Sequence, residues 1–565
     1  MNKNWRLFLL GGIIIFCGSL LAHLVQTSND IEIKDLRFSG ADGKTLSALL
    51  YIPPGATAQT PAPGILAVHG YINSREVQSG FAIEFARRGY VVLALDQRGH
   101  GYSEPPAFAN GFGGPAGLKY LRSLDIVDTN NIGLEGHSMG GWAVLAAAAA
   151  YPDSYQAMVL LGSSTGSGMA APGTPQWPRN VSVVFSQYDE FAQLMWEVAS
   201  GKDVASSSKL QTLFGTESEI IAGQIYGTIE AGTARVLQSP PVTHPGDHIS
   251  HTAIGHSLNW FAQTLEGGNP QDVTNQIWFF KELGTLTALI GFVILLLGSF
   301  KLLLTMECFR QLAHHPDTHA FEQRNAKWWL SAVLSALVPV LSFYPFMRWG
   351  VQLFPASSWF PQAISNQIVV WAILNGLIFT ILGTVSGARK ISFNHRLPAA
   401  ITIALATVGI GYLAVLAADF FFKVDFRFWF IGVKAMNLHQ FQIMLGYLLP
   451  FTLFFVLTLR ALHAGLSVKG DSRWRQFSSN SLALMGGFLV FLTLQYVSLF
   501  GRGVLLTPTE PLNTIVMIQF VPLLLIVVII STYTYRRTAS YLPGAFISAL
   551  FVSWYIVAGQ ATQVG

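Results

Sequence analysis

Cysteine and charge are what this chain has little of. Only Cys17 and Cys308 occur in 565 residues, so neither a disulfide framework nor a cysteine-ligated metal site can be built. Charged residues are 11% of the total and the formal net charge is only +4, spread over many loops, which excludes a nucleic-acid-binding surface. No metal-ligand spacing, internal repeat or transporter motif stands out, and Cys17 has no lipobox before it. No metal and no cofactor are therefore expected. Apolar residues, in contrast, make up 51% of the chain, too many for a wholly soluble protein. They are unevenly spread: residues 27–270 are mixed and turn-rich, whereas 284–561 is a series of long apolar runs split by short basic loops.

At the N-terminus, Lys3 and Arg6 precede an apolar stretch from Leu7 to Val25 that no small-x-small cleavage site follows, which reads as an uncleaved anchor. Eight further spans are expected at 284–304, 328–347, 367–386, 399–421, 438–461, 480–500, 512–534 and 541–561. Orientation follows from the basic loops. One side would hold fifteen lysines and arginines: Lys3, Arg6, Lys301, Arg310, Arg324, Lys327, Arg389, Lys390, Arg396, Arg460, Lys469, Arg473, Arg475, Arg536 and Arg537. The other side of the C-terminal half would hold six: Lys281, Arg348, Lys423, Arg427, Lys434 and Arg502. This bias predicts a multi-pass protein of the cell membrane with a cytoplasmic N-terminus; residues 27–280 and the C-terminus would lie outside the cytoplasm. Asp419 reads as an interfacial acid, solvated or paired with Lys423 or Arg427, and "KVDFRFWFIGVKAMNLHQF" (423–441) as an interfacial helix.

Three domains are expected: an anchor (1–26), an extracytoplasmic domain (27–270) and a polytopic membrane domain (271–565). In the second, β-prone runs such as "GILAVHG" (64–70), "YVVLALD" (90–96), "NIGLEGHS" (131–138) and "VSVVFS" (181–186) alternate with helical patterns. That alternation predicts a mostly parallel sheet covered on both faces. Within "GHSMG" (136–140), Ser138 follows a strand and precedes an alanine-rich helix. Gly136 and Gly140 leave room for a tight strained turn there, so the serine can be presented as a nucleophile, with the helix N-terminus favouring negative charge beside it.

Taken with "VHGY" (68–71), "FARRGYVVLALDQRGHGYSE" (85–104), "VVFSQYDEF" (183–191) and "PPVTH" (240–244), this motif resembles the α/β-hydrolase-fold serine hydrolases over residues 31–266. The resemblance covers under half of the chain and implies an α/β sandwich carrying the order nucleophile, acid, histidine. A serine needs a base to take its proton and a carboxylate to orient that base. Asp189 is placed where the family keeps its acid, although Ser186 stands where a glycine is usual, and Glu190 is the fallback. For the base, His244 is favoured, because its place after the strand "RVLQS" and the turn "PPVT" resembles the family's last element, with His248 as the runner-up; His251 and His256 read as residues of the following helix. The backbone N–H of Met139, after the nucleophile, is one candidate oxyanion donor. The resemblance implies that of Tyr71 as the other, and it assigns His69, Asp96 and His100 to structural turns.

The expected architecture is thus an α/β-hydrolase sandwich joined to an N-terminal transmembrane helix and an all-α bundle of about eight transmembrane helices. The expected activity is cleavage of an ester, small or lipid-like, through an acyl-enzyme, with the lipid bilayer as a partner. Acyl transfer, peptide cleavage, and a transporter or sensor with a ligand-binding outer domain stay open as alternatives. Substrate identity and oligomeric state are not legible.

Overall fold

The computed structural model describes residues 4–269, 271–313, 321–385, 396–559 and 562–564. Of the basic residues counted above, Lys3, Arg389 and Lys390 lie outside these. The chain forms two compact units: Leu20–Gly284 with Tyr496–Pro511 and Gly559–Gly565, and Met1–Ser19 with Thr285–Gln495 and Leu512–Ala558.

The first unit is built on nine strands: β1 (Glu32–Ser39), β2 (Thr45–Ile52), β3 (Ala62–Val68), β4 (Val91–Asp96), β5 (Val127–His137), β6 (Ala157–Leu161), β7 (Val181–Val184), β8 (Ile225–Tyr226) and β9 (Arg235–Gln238). They lie in the order β1-β2-β4-β3-β5-β6-β7-β9-β8. β1, β2 and β4 pair antiparallel, the pairs from β4 through β9 are parallel, and β8 returns antiparallel to β9. Side chains of successive strand residues point to opposite faces, and both faces are covered here. Leu66 and Val68 join Leu93, Leu95 and Leu134 under the helices Gly114–Arg122 and Met139–Ala150. Ile65 and Ala67 join Val92 and Ala94 under Ser79–Arg87 and His251–Thr264. Each large side chain buried this way is worth ~1.5–3 kcal/mol, which is why the central strands read as continuous apolar runs. The fold is therefore an α/β sandwich on a mixed, mostly parallel sheet. Its parallel strands bring their carboxyl ends, and the loops after β5, β7 and β9, to one edge.

Beyond this unit the described residues are mostly helical. Among the described residues, eight helices are long and apolar enough to cross a membrane: Arg6–Gln26, Trp278–Leu303, Ala363–Leu382, Leu397–Phe422, Leu438–Leu466, Arg473–Arg502, Pro511–Thr538 and Leu542–Gly559. A further pair, Ala326–Leu341 and Phe343–Leu353, meets at 51°. Pro345 explains that break, because a proline ring inside a helix clashes with the carbonyl four residues back, here that of Leu341. The chain is a multi-pass membrane protein. Within the second unit, polar side chains bond between helices: Tyr447 Oη to Asn366 Oδ1 at 2.6 Å and Asn480 Nδ2 to Thr532 Oγ1 at 2.9 Å.

The expectation for 423–441 is corrected. It is not one helix: Phe426–Phe428 and Ile431–Val433 pair antiparallel, with Trp429 turning at φ 61°. Aromatic and β-branched residues fit such a ribbon, and Arg427 closes on Asp425 (2.8 Å). A helix starts only after Asn437, whose side chain forms a capping box with Gln440.

Candidate active site

Ser138 sits between β5 and the helix Met139–Ala150 with φ 54° and ψ −122°, a conformation that costs a non-glycine residue ~1–3 kcal/mol. The surroundings impose it. Its N–H donates to the Leu161 carbonyl (2.8 Å), and its own carbonyl accepts from the Gly141 N–H (2.9 Å). A Cβ on Gly136 would lie 2.3 Å from the Gly140 oxygen, and one on Gly140 would lie 2.1 Å from the Val68 oxygen. Only hydrogen fits at either position, so strand and helix can approach closely enough to form the elbow. Ser138 itself is half-buried.

The loops after β7 and β9 run side by side. Gln187 and Tyr188 donate their N–H groups to Pro240 and Val242 (2.9 and 3.1 Å), and Tyr188 bridges Thr243 in parallel fashion. One residue further along each loop, Asp189 meets His244: Nδ1 lies 2.8 Å from Oδ2, with both side chains buried. The other Asp189 oxygen accepts from the Phe191 N–H (2.7 Å). With Asp189 accepting at both oxygens, His244 carries its proton on Nδ1 and presents a basic Nε2. The link to the elbow is short: His137, next to Ser138, has Nε2 3.0 Å from the His244 carbonyl oxygen. A Cβ on Gly162, next to Leu161, would lie 3.0 Å from His244 Nδ1.

Electrostatics keep the ring neutral. Burial pushes His244 down to about 4, with Asp247 pulling the other way. Burial and then Asp247 push the Asp189 carboxyl up, against the Phe191 N–H and His137. Glu190 is pushed up to about 8, first by burial and then by Asp189; the His244 N–H and the Tyr496 hydroxyl oppose this. Its Oε2 accepts that N–H at 2.8 Å, so Glu190 holds the histidine's backbone while Asp189 holds its ring. The His248 ring packs on His137 with centroids 4.1 Å apart and edge-on to Phe81 at 6.3 Å. Ser186, at the position where the resemblance implies a glycine, donates its hydroxyl to Asp247.

Tyr71 follows Gly70, where a Cβ would lie 3.1 Å from Ser138 Cβ, so the Tyr71 backbone runs beside Ser138. The Met139 N–H opens its helix and has no intrahelical partner. From Tyr71 a chain of rings extends through Phe108 (5.9 Å), Phe112 (6.3 Å) and Trp142 (6.4 Å). Asp96 accepts from the Arg75 and Tyr102 N–H groups and the Ser47 hydroxyl, and His69 Nε2 accepts from the Gln97 N–H, so both fasten turns. Among the described residues, no three His, Cys, Asp or Glu side chains are grouped to hold a metal ion.

Three participants escaped sequence reasoning. His137 occupies a variable position of the serine motif, Asp247 sits between His244 and His248, and Tyr496 lies 306 residues from Glu190, its bonding partner at 2.8 Å. Only the acidic residue inside "HPGDH" (244–248) was available as a local signal.

Strand order, elbow and loop arrangement together define an α/β-hydrolase-fold domain joined to a set of long apolar helices. Comparison with known proteins agrees at that level. Residues 63–200 match the family described as alpha/beta hydrolase fold. The quorum-quenching protein AidA of Acinetobacter baumannii is 35% identical over 130 residues, which are 20% of this chain and 39% of that protein. The chain thus spans about two fifths of the length of the curated relative it matches. Among solved structures, a hypothetical protein of Pseudomonas aeruginosa is 28% identical over 24% of this chain and 43% of that one, with a TM-score of 0.21. An esterase of Pyrococcus furiosus is 16% identical over 43% of this chain and 96% of that one, with a TM-score of 0.29.

Proposed function

We propose that the chain is a membrane-embedded serine hydrolase that cleaves ester bonds through an acyl-enzyme, with its hydrolase domain outside the cytoplasm. The observation that carries the reading is the buried 2.8 Å bond between His244 and Asp189, linked through His137 to a serine held at φ 54° on a strand-to-helix elbow. In the proposed mechanism His244 Nε2 takes the Ser138 proton as the hydroxyl attacks the acyl carbon, and Asp189 steadies the imidazolium. The Met139 and Tyr71 N–H groups stabilise the tetrahedral oxyanion. The imidazolium then protonates the leaving alcohol, and water, activated by the same histidine, releases the acid. The rings from Tyr71 to Trp142 favour an apolar acyl group. The sidedness rests on the excess of basic residues in one set of loops.

An impermeant fluorophosphonate probe applied to intact cells tests chemistry and sidedness together. The wild-type protein is expected to label and the Ser138→Ala variant to be blank. Undiminished labelling of the variant would sink the proposal, and labelling only after permeabilisation would reverse the sidedness.

A further inference from the structure

The family match ends at residue 200, yet one side chain beside the candidate triad comes from far beyond it. The helix Arg473–Arg502 contributes its last turns, from Tyr496 onward, to the same compact unit as the hydrolase sheet. There the Tyr496 hydroxyl donates to Glu190 Oε1 at 2.8 Å, while Glu190 Oε2 accepts the His244 N–H at 2.8 Å. The same segment touches the acid loop at two more points. Phe500 packs edge-on against Tyr188, centroids 5.0 Å apart, and a Cβ on Gly503 would lie 2.5 Å from Ser200 Oγ.

We propose that Tyr496 is a positioning residue for the base: through Glu190 it fixes the backbone of His244, so activity of the hydrolase domain depends on the end of an apolar helix outside the family fold. The inference rests on the serine-hydrolase reading. Its physical basis is that a carboxyl group held at one oxygen can swing, whereas Glu190, held at both, has its Oε2 aimed at one N–H. His244 then has two fixed points, its N–H on Glu190 and its Nδ1 on Asp189, and the direction of Nε2 follows. Small misplacements of a reacting group lower rates steeply. The charged and titratable neighbours bearing on this pair are Asp189 beside Glu190, and Asp247 and His137 acting on Asp189.

The test uses the full-length protein in detergent and follows the second-order rate of fluorophosphonate labelling between pH 6 and 9. Tyr496→Phe is expected to lower the rate about tenfold, and Glu190→Gln to lower it similarly. The double variant should be no slower than either single one, because both changes break the same link. Loss of the hydroxyl also removes a donor to the carboxylate. Any inflection due to Glu190 ionisation should therefore move to higher pH in Tyr496→Phe and disappear in Glu190→Gln, a change that a merely structural tyrosine would not produce. A wild-type rate and profile in Tyr496→Phe would overturn the inference, as would losses that multiply in the double variant. Ser138→Ala run alongside separates the two levels: if it still labels, the serine-hydrolase reading itself has failed, and this inference with it.

Discussion

His244 is buried and its imidazole is pushed down to about 4, so its proton-accepting form is present at neutral pH. Only that form can take the serine proton, and activity should fall as acid protonates the ring. The acid limb of kcat/KM is therefore expected below pH 6, towards about 4, rather than near the usual histidine value; an inflection at 6.5 or above would contradict this environment. Asp189→Asn removes the acceptor that fixes the Nδ1 proton and should lower kcat by about 10³–10⁴-fold while the protein still folds, which a melting curve checks. At this scale the sequence was informative where chemistry is local. An elbow serine is announced by its flanking glycines, and an acid by the strand before it. Spacing alone could set His251 and His256 aside as helix residues but could not decide between His244 and His248; the pairing of Tyr188 with Thr243 is what brings His244 to Asp189. Nor could it find Tyr496, because nothing local marks a contact across 306 residues.

At the scale of the strand, β5 does more than lead into the turn at Ser138. Glu135, three residues before Ser138, is wholly buried with one hydrogen bond from Gln78 Nε2 (2.9 Å), and burial pushes it up to about 8. The folded state thus keeps a proton that the unfolded chain releases near 4.5. The resulting stability is fully present below pH 4.5 and is lost as pH rises to about 8, on the order of 5 kcal/mol over the window. Glu135→Gln should flatten that decline; melting temperatures of variant and wild type that keep a constant offset from pH 5 to 8.5 would refute it. Strands and long helices were legible because their apolar periods are long. The 426–433 ribbon was not, because an aromatic run of that length suits a helix or a strand equally, and the turn at Trp429 decides.

The whole chain poses a question of parity. Tyr496 bonds to Glu190, and the Gln563 backbone pairs with the Gly99 carbonyl and the Ala107 N–H (2.8 and 2.7 Å), so residues 20–284, 496–511 and 562–564 belong to one unit, and Tyr496 and Gln563 are expected to lie on the bilayer side that holds the sheet. Between Gly284 and Tyr496, five unbroken helices long enough to cross lie among the described residues, together with the pair Ala326–Leu341 and Phe343–Leu353. Five crossings would leave Tyr496 on the wrong side; six return it. On this count we predict that the bent pair completes a crossing instead of turning back, and that Pro511–Thr538 with Leu542–Gly559 then return Gln563 to the side of the sheet. Ser358, in the exposed loop after the pair, and the exposed Cys308 before it should consequently lie on opposite faces of the membrane. With the basic loops inside, an impermeant maleimide on intact cells should label Ser358→Cys in a Cys308→Ala background and leave wild-type Cys308 unmodified until the cells are permeabilised. The reverse pattern would preserve the parity and invert the orientation, whereas labelling of both from the same side would mean that the bend at Ser342 is a re-entrant loop.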